Sequence, residues 1–294
     1  MRAFDFWVMM FCCLCWGGNL VMSAWALGGS SVPPFLLAAT RALLVLTVMG
    51  VFLFKPPPKQ FLRLLFVCFC AGPMHLGLLY TGLQTASASG TSIISQALIP
   101  MATILSVVWL KERIGWRRSL AILGALIGVI IMIYEPGALR FDSGLIYVLV
   151  AYASLAVGTV AIRRIPDVDW RVYVAWTAVM VLILCTGATL LFEDDHAEIW
   201  KVDKTPLLIA ASYAALATSV VAHGQYFRLL QIYPVNRVVP LSIMVTVFGT
   251  VLGILLLDEV LHSRYIIGAV LILPCVWFIA GRETSNSTEV DYGK

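Results

Sequence analysis

The sequence predicts an all-α polytopic membrane protein with ten transmembrane helices in an inverted 5+5 repeat. Three observations lead to this fold class. Hydrophobic residues make up 61% of the chain and charged residues 12%, whereas soluble domains contain about 45–50% apolar and about 25% charged residues. The apolar residues are concentrated in stretches of about 20 residues, the length of a membrane-spanning helix. The two halves of the chain also resemble each other.

The apolar stretches follow one another along the whole chain with short connections. Only the 193–204 connection combines length with several charges, and the polar tail 283–294 is predicted to be disordered. The predicted spans are 5–27, 33–54, 61–83, 88–110, 116–134, 143–163, 171–192, 205–228, 235–257 and 263–281.

A repeat relates the two halves of the chain. A shift of 147 positions aligns residues 77–114 with the second half at eight identities, where chance in so apolar a sequence gives about three. Each half holds an odd number of spans, so the two copies cross the membrane in opposite directions. Inverted repeats are typical of secondary transporters, although channels and some membrane enzymes are also duplicated. The predicted division is 1–134 for the first repeat, 143–281 for the second and 282–294 for the tail.

The distribution of positive charge predicts the orientation. Fifteen of the 20 Lys and Arg residues fall on the side of the N-terminus, four fall on the other side and Arg41 lies within a span. Cytoplasmic loops carry an excess of Lys and Arg. Both termini are therefore predicted to be cytoplasmic.

Arg41 is the charge that the second span carries inside the membrane, about 12 Å below its predicted outer end. An arginine at the centre of a span costs about 2.5–3.5 kcal/mol on insertion scales. It either extends partway to the interface or faces a polar cavity. Asn19, His75 and Gln96 lie at about the same depth in three other spans of the first repeat. A shared cavity accounts for all four, and pairwise bonds between helices are the alternative.

The second repeat supplies a further set of polar residues that we include in the candidate site. Arg237 is interpreted as an interfacial anchor, and Glu112 and Glu259 are expected to cap or pair locally at matching helix ends. His75 and His223 have side chains that titrate near neutral pH, which leaves proton coupling open. The candidate substrate-binding residues are Asn19, Arg41, His75, Gln96, His223, Gln225, Tyr226 and Ser242.

Several classes of function are excluded by what the sequence lacks. The basic residues are dispersed over loops, which argues against nucleic-acid binding. The seven cysteines lie in apolar runs, where they behave as small hydrophobic residues, and no metal site or cofactor is predicted. The sequence has no G-x-S-x-G or H-E-x-x-H motif. An enzyme is therefore not predicted, and the expected partners are a small-molecule substrate and the lipid bilayer.

Several short sequences resemble the EamA-type members of the drug/metabolite transporter superfamily. They are WGGN at 16–19, VPPFLLAATR at 32–41, KER at 111–113, and LDE at 257–259 followed by IGAVLI at 267–272. The NRVVPLS sequence at 236–242 and Gln96 are similar to bacterial exporters of O-acetylserine and cysteine. The resemblance covers nearly the whole chain.

The resemblance implies a function and a location. It implies ten helices in an inverted 5+5 arrangement around a central cavity, in the bacterial inner membrane. It also implies export of amino acids or related small metabolites by alternating access. Other substrates of the superfamily, such as a drug, a sugar phosphate or a nucleotide sugar, remain alternatives, as does import. The oligomeric state is not predicted.

Overall fold

A computed structural model describes residues 1–28, 32–56, 58–111, 114–135, 140–165, 168–193, 204–233 and 238–281. The described residues form ten helical segments that follow the predicted spans closely. Eight of these are long and apolar enough to cross a membrane, and the last two are shorter apolar helices. The predicted tail 282–294 lies outside the described residues.

The helices are numbered α1 to α10 in chain order. Their bounds are Ala3–Gly28 for α1, Pro34–Phe54 for α2, Phe61–Leu83 for α3, Ala88–Leu110 for α4 and Trp116–Ile133 for α5. In the second half they are Ser143–Ile162 for α6, Trp170–Phe192 for α7, 204–232 for α8, 239–257 for α9 and Ser263–Gly281 for α10. An antiparallel ladder of two-residue strands, β1 (Tyr134–Glu135) and β2 (Arg140–Phe141), adds to the predicted all-α fold between α5 and α6.

Besides the 3₁₀ segment Gly50–Phe54 that ends α2, four helices depart from α geometry at positions that the 147-residue shift relates. Helix α3 contains a π-helical turn at Cys70–Met74, and α8 a π-helical stretch at Tyr213–Ala222. Helix α4 contains a 3₁₀ turn at Ser95–Ala97, and α9 begins with one at Val239–Ile243. Prolines contribute in three cases, because Pro73, Pro100 and Pro240 lack an N–H and crowd the preceding turn. The π stretch of α8 has no proline.

The residues that directly follow α4 and α9 are also related by the 147-residue shift. Lys111 follows α4 with φ 56°, and Asp258 follows α9 with φ 51°. These are the positive-φ residues other than glycine in the described chain. A left-handed residue at this position ends a helix by redirecting its chain. Both helices therefore end in the same way.

The main helix pairs are kept when the two halves are exchanged, although the contacts of α2 with α3 and of α1 with α3 and α4 have no counterpart of similar size in the second half. Helix α5 packs on α10, α2 on α7 and α4 on α9, and each pair maps onto itself when every helix is replaced by its partner in the other half. The α1–α9 and α4–α6 contacts are exchanged with each other, as are the α3–α6 and α1–α8 contacts. Helix α1 thus lies among α9, α8, α3 and α4 in the centre of the bundle.

Polar contacts tie the helix ends together on both faces of the bundle. We call the face that contains the start of α1 the N-terminal face. There Tyr233 Oη donates to Asp5 Oδ2 (2.7 Å), and Lys55 Nζ lies 2.7 Å from Asp169 Oδ2. On the opposite face Arg264 Nη2 lies 3.2 Å from Asp142 Oδ2.

Two carboxylates on the opposite face accept hydrogen bonds from the starts of other helices. Glu193 accepts from Phe35 N (2.6 Å) and Leu36 N (3.3 Å) in α2. Burial raises the pKa of the Glu193 carboxyl above its ordinary value, although these N–H donors oppose the shift. Glu259 accepts from Ala88 N (2.5 Å) and Ser89 N (2.9 Å) in α4. The expectation of a local cap was therefore wrong for Glu259, because its partners lie about 170 residues away. Glu112 and Arg237 lie outside the described residues.

Two glycines, Gly17 in α1 and Gly249 in α9, allow α1, α4 and α9 to approach closely. A Cβ built on Gly249 would lie 2.7 Å from Ser92 Cβ, and a Cβ built on Gly17 would lie 2.7 Å from Gly249 N. Contacts this short force a helix to move. The central packing therefore depends on the absence of side chains at this crossing.

We predict that Gly249→Ala destabilises the protein by about 1–3 kcal/mol, because the added methyl group overpacks the crossing. Gly187→Ala is the matched control, since a Cβ at Gly187 in α7 meets nothing within 4 Å. Alanine is a better helix former than glycine, so the control is expected to be neutral or stabilising. Thermal unfolding of the purified proteins in detergent measures both. Equal melting temperatures for the two variants would contradict the described packing.

Candidate functional site

Arg41 is buried inside the bundle, and its side chain is only 9% exposed. Its guanidinium donates from Nη1 to Tyr80 Oη in α3 (3.0 Å) and from Nη2 to Ser219 Oγ in α8 (3.0 Å). Both acceptors are neutral, and within the described part of the chain Arg41 forms no ion pair. A guanidinium has five N–H donors, so three are left over. The site therefore holds a positive charge that the described residues do not neutralise.

The π-helical stretch of α8 sets the direction of the Ser219 hydroxyl. Its proton is donated to Ala214 O (3.0 Å), five residues earlier. The oxygen of Ser219 is consequently left to accept from Arg41. Ser219 is not among the predicted site residues, because a serine in an apolar helix is common and nothing in the sequence indicates the π geometry. Tyr80 is fully buried and fixes the other side of the guanidinium.

The two histidines of the candidate site are each held by one ring nitrogen. His75 Nδ1 lies 2.9 Å from Ala151 O in α6, and His223 Nδ1 lies 2.7 Å from Thr218 O in α8. A carbonyl oxygen only accepts, so the proton of each neutral ring is on Nδ1. Nε2 is then an acceptor on both rings.

Helix α1 presents polar atoms without hydrogen-bond partners among the described residues. Asn19 is 6% exposed, and its Oδ1 atom has no donor within reach. The indole Nε1 of Trp16, one helical turn earlier, has no acceptor. The ring of Trp16 lies edge-on to His223 (5.4 Å between centroids) and to Tyr226 (5.2 Å). A buried polar group without a partner costs about 1–3 kcal/mol, which a bound ligand or water would recover.

The remaining predicted residues are placed less centrally. Gln96 is buried in the 3₁₀ turn of α4. Gln225 Oε1 lies 3.5 Å from Arg228 Nη1 on an exposed part of α8, and Ser242 lies in the 3₁₀ turn of α9. The hydrogen bonds of the described residues join Arg41 to neither Gln225 nor Ser242.

A cleft of about 470 Å³ opens between α1 and α8 on the N-terminal face. Asp5 is buried at its base, where Arg228 Nη2 lies 3.4 Å from Asp5 Oδ1. Asp5 is not among the predicted site residues, although a single acidic residue in the first turn of an apolar helix is a recognisable signal. The cleft is lined by Met1, Arg2, Asp5, Arg228, Ile232 and Tyr233.

Comparison with known proteins agrees with the motifs noted above. The profile described as the EamA-like transporter family matches residues 4–134 and 142–281. A protein of Escherichia coli (strain K12) named "Probable amino-acid metabolite efflux pump" is 28% identical over 268 residues, 88% of each chain. An uncharacterized transporter of Synechocystis sp. is 25% identical over 304 residues, 91% of this chain and 87% of that protein. The resemblance inferred from the sequence is thereby confirmed.

A solved protein structure with a similar fold covers nearly the whole chain. Its TM-score is 0.63 at 19% sequence identity, and the match covers 94% of this chain and 96% of the other. At this identity the likeness concerns the fold alone.

We predict that Tyr80→Phe lowers the free energy of unfolding by about 1–3 kcal/mol, because it leaves a buried, charged N–H donor of Arg41 without its acceptor. Tyr147→Phe is the matched control, since Tyr147 is 46% exposed on α6. Thermal unfolding of the purified variants is the measurement. A Tyr80→Phe protein as stable as the control would mean that Tyr80 does not hold Arg41.

Proposed function

Because the chain belongs to the EamA-like transporter family, we propose that it is a secondary transporter that exports amino acids or related small metabolites by alternating access through a central cavity. The observation that carries this proposal is the guanidinium of Arg41, which is buried and bonded only to neutral oxygens among the described residues. A carboxylate is the small anionic group that best fits its unused donors, because the two can form a bidentate pair. The relative from Escherichia coli, named as an amino-acid metabolite efflux pump, supports the same substrate class.

The atoms around Arg41 suit the other end of an amino acid. An ammonium group donates hydrogen bonds, and Asn19 Oδ1 is a buried acceptor without a donor. His75 and His223 offer Nε2 as a further acceptor, because Nδ1 of each ring is bound to a carbonyl. We therefore assign Arg41 to the carboxylate, and Asn19, His75 and His223 to the amino group. Gln96, Tyr226, Gln225 and Ser242 remain candidate contacts along the path.

We also propose that residues 1–134 and 143–281 form two repeats of opposite orientation. The exchange symmetry of the main helix pairs supports this, since α5–α10, α2–α7 and α4–α9 each map onto themselves and the α1–α9 and α3–α6 contacts have counterparts in α4–α6 and α1–α8. The equivalent π and 3₁₀ turns and the left-handed residues after α4 and α9 support it further. Inverted repeats give two related conformations around a site at the membrane midplane.

The side from which an exported substrate would enter follows from the orientation that positive charge predicts. The N-terminal face then meets the cytoplasm of a bacterial cell, with the protein in the inner membrane. The cleft at Asp5 opens on that face, and it is a natural entrance for a substrate that leaves the cell.

Three alternatives to this proposal place different demands on the residues of the site. A phosphate-bearing substrate is expected to need several cationic side chains, whereas Arg41 is the one that the sequence places at mid-depth. Proton coupling would use His75 or His223, and it stays a hypothesis of the sequence analysis. Import would use the same site with the opposite gradient.

We predict that Arg41→Ala reduces export at least about 100-fold, because a charge-assisted bond to a buried carboxylate is worth about 1.5–3 kcal/mol and a guanidinium makes two. Arg41→Lys keeps the charge without the planar fork, so its loss is expected to be smaller. Arg63→Ala is the control, since Arg63 is exposed and bonds Gln60.

The measurement is efflux of individual amino acids from cells that overproduce each variant, with membrane insertion checked by immunoblotting of the membrane fraction. Wild-type protein is expected to relieve the toxicity of at least one added amino acid. Normal efflux by an inserted Arg41→Ala protein would remove Arg41 from the site. Efflux of phosphorylated compounds in place of amino acids would select the alternative substrate class.

A further inference from the structure

Helices α4 and α9 are joined on the face opposite the N-terminus by a row of small polar side chains. Thr246 Oγ1 donates to Ser92 O (3.0 Å), and the hydroxyls of Ser92 and Thr250 lie 3.3 Å apart. Ser89 Oγ lies 3.5 Å from Thr250 O. We call these four residues, Ser89, Ser92, Thr246 and Thr250, the α4–α9 seam. Its bonds are between neutral groups, each worth about 1 kcal/mol, so the seam can be broken at moderate cost.

Glu259 closes the outer end of the seam. The left-handed backbone of Asp258 ends α9 and turns the chain toward α4. The Glu259 carboxylate then accepts from Ala88 N and Ser89 N, and from Ser89 Oγ at 2.5 Å. A negative charge is favourable at a helix N-terminus. Helix α4 already has its own cap in Ser87, which accepts from Gly90 N (3.0 Å), so Glu259 serves to hold two helices together.

Toward the N-terminal face, α4 is held by a different helix. Its half from Leu98 to Leu110 packs mainly on α6. There Arg163 Nη1 lies 3.4 Å from Ser106 Oγ, and Arg164 Nη2 donates to Trp109 O. The hydrogen bonds that the described residues show between α4 and α9 thus lie toward the face opposite the N-terminus.

Helices α2 and α7 provide the contrast. Glu193 ties them on the face opposite the N-terminus, where it accepts from Phe35 N and Leu36 N. Lys55 and Asp169 tie them on the N-terminal face, 2.7 Å apart. Because polar contacts join α2 and α7 at both ends, these two helices are not expected to separate at either face. The two glutamates therefore have the same chemistry at a helix N-terminus but a different mechanical role.

We propose that the α4–α9 seam is the outer gate of the transporter, that Glu259 is its latch, and that this structure is the conformation closed toward the outside. The proposal rests on the transport function and orientation proposed above. The 3₁₀ turn at Ser95–Ala97, followed by Pro100, lies just beyond the seam and is the hinge about which Ala88–Ile94 swings. Gln96 belongs to this hinge. A substrate that contacts Gln96 therefore acts directly on the segment that must move.

A disulfide across the seam tests whether it opens during transport. Cysteines at Ser92→Cys and Thr250→Cys replace hydroxyls that lie 3.3 Å apart, which is within reach of a disulfide. Gly124→Cys is the matched control, because a Cβ at Gly124 in α5 would lie 2.8 Å from the native Cys275 Sγ in α10. The α5–α10 pair is not expected to separate. Export of an amino acid found by the efflux screen is measured after oxidation and again after reduction, with cross-linking checked by mass spectrometry.

The proposal predicts that oxidation of the Ser92→Cys/Thr250→Cys protein lowers export at least about ten-fold, and that reduction restores it. The oxidised Gly124→Cys protein is expected to export normally. Export that is unchanged while the seam is cross-linked would overturn the gate. Equal loss in both cross-linked proteins would overturn it as well, since the seam would then not be distinctive. No export after reduction, or by the wild type, would instead contradict the proposed transport function.

Labelling of the single variant Ser92→Cys tests the latch without a cross-link. Ser92 is fully buried in the seam, so a membrane-impermeant maleimide added outside whole cells is expected to react slowly. Adding Glu259→Ala is predicted to raise the labelling rate at least about ten-fold, because the closed state loses its charge-assisted bonds. Adding Glu193→Ala is predicted to leave the rate unchanged. Equal rates for the two double variants would mean that Glu259 is not the latch.

Discussion

The centre of this structure depends on one constraint, the presence of a permanently charged guanidinium inside an apolar bundle. Arg41 cannot lose its proton, and a buried charge without hydrogen bonds costs several kcal/mol. Tyr80 and Ser219 supply the bonds from two further helices, α3 and α8. Neither supplies a negative charge. Arg41 therefore stays charged inside the bundle at a tolerable free-energy cost, and its guanidinium can still attract an anion.

The irregular turns of the helices make this arrangement possible. In a regular α-helix every backbone carbonyl in the interior is already bonded, whereas a π stretch leaves carbonyls that side chains can use. In α8, Ala214 O accepts from Ser219, and Thr218 O binds the ring of His223. These bonds orient Ser219, which accepts a hydrogen bond from Arg41, and His223 of the candidate site. The 3₁₀ turn of α4 likewise contains Gln96, four residues after Ser92 of the seam. In the proposed gate, Gln96 therefore belongs both to the candidate site and to the hinge.

The sequence predicted the helices well because their signals are local. The edges of α3 and α4 agree with the predicted spans 61–83 and 88–110, since prolines, glycines and polar residues lie at their ends. The burial of Arg41 and Asn19 also follows from a polar residue in an apolar stretch. The π stretch of α8 could not be predicted, because it contains no proline and is stabilised by contacts made after folding. Ser219 was missed for that reason. Glu259 was assigned a local role because its partners, Ala88 and Ser89, lie far away in the sequence.

The central claim is that Arg41 binds the carboxylate of the substrate, and the most direct measurement separates that carboxylate from the rest of the molecule. Binding of a transported amino acid to the purified protein is compared by calorimetry with binding of its carboxamide, which has the same side chain and amino group. The account predicts that the carboxamide binds at least about ten-fold more weakly, corresponding to about 1.4 kcal/mol. It also predicts that this difference disappears in Arg41→Ala. Equal affinity of the wild-type protein for the two compounds would contradict the account.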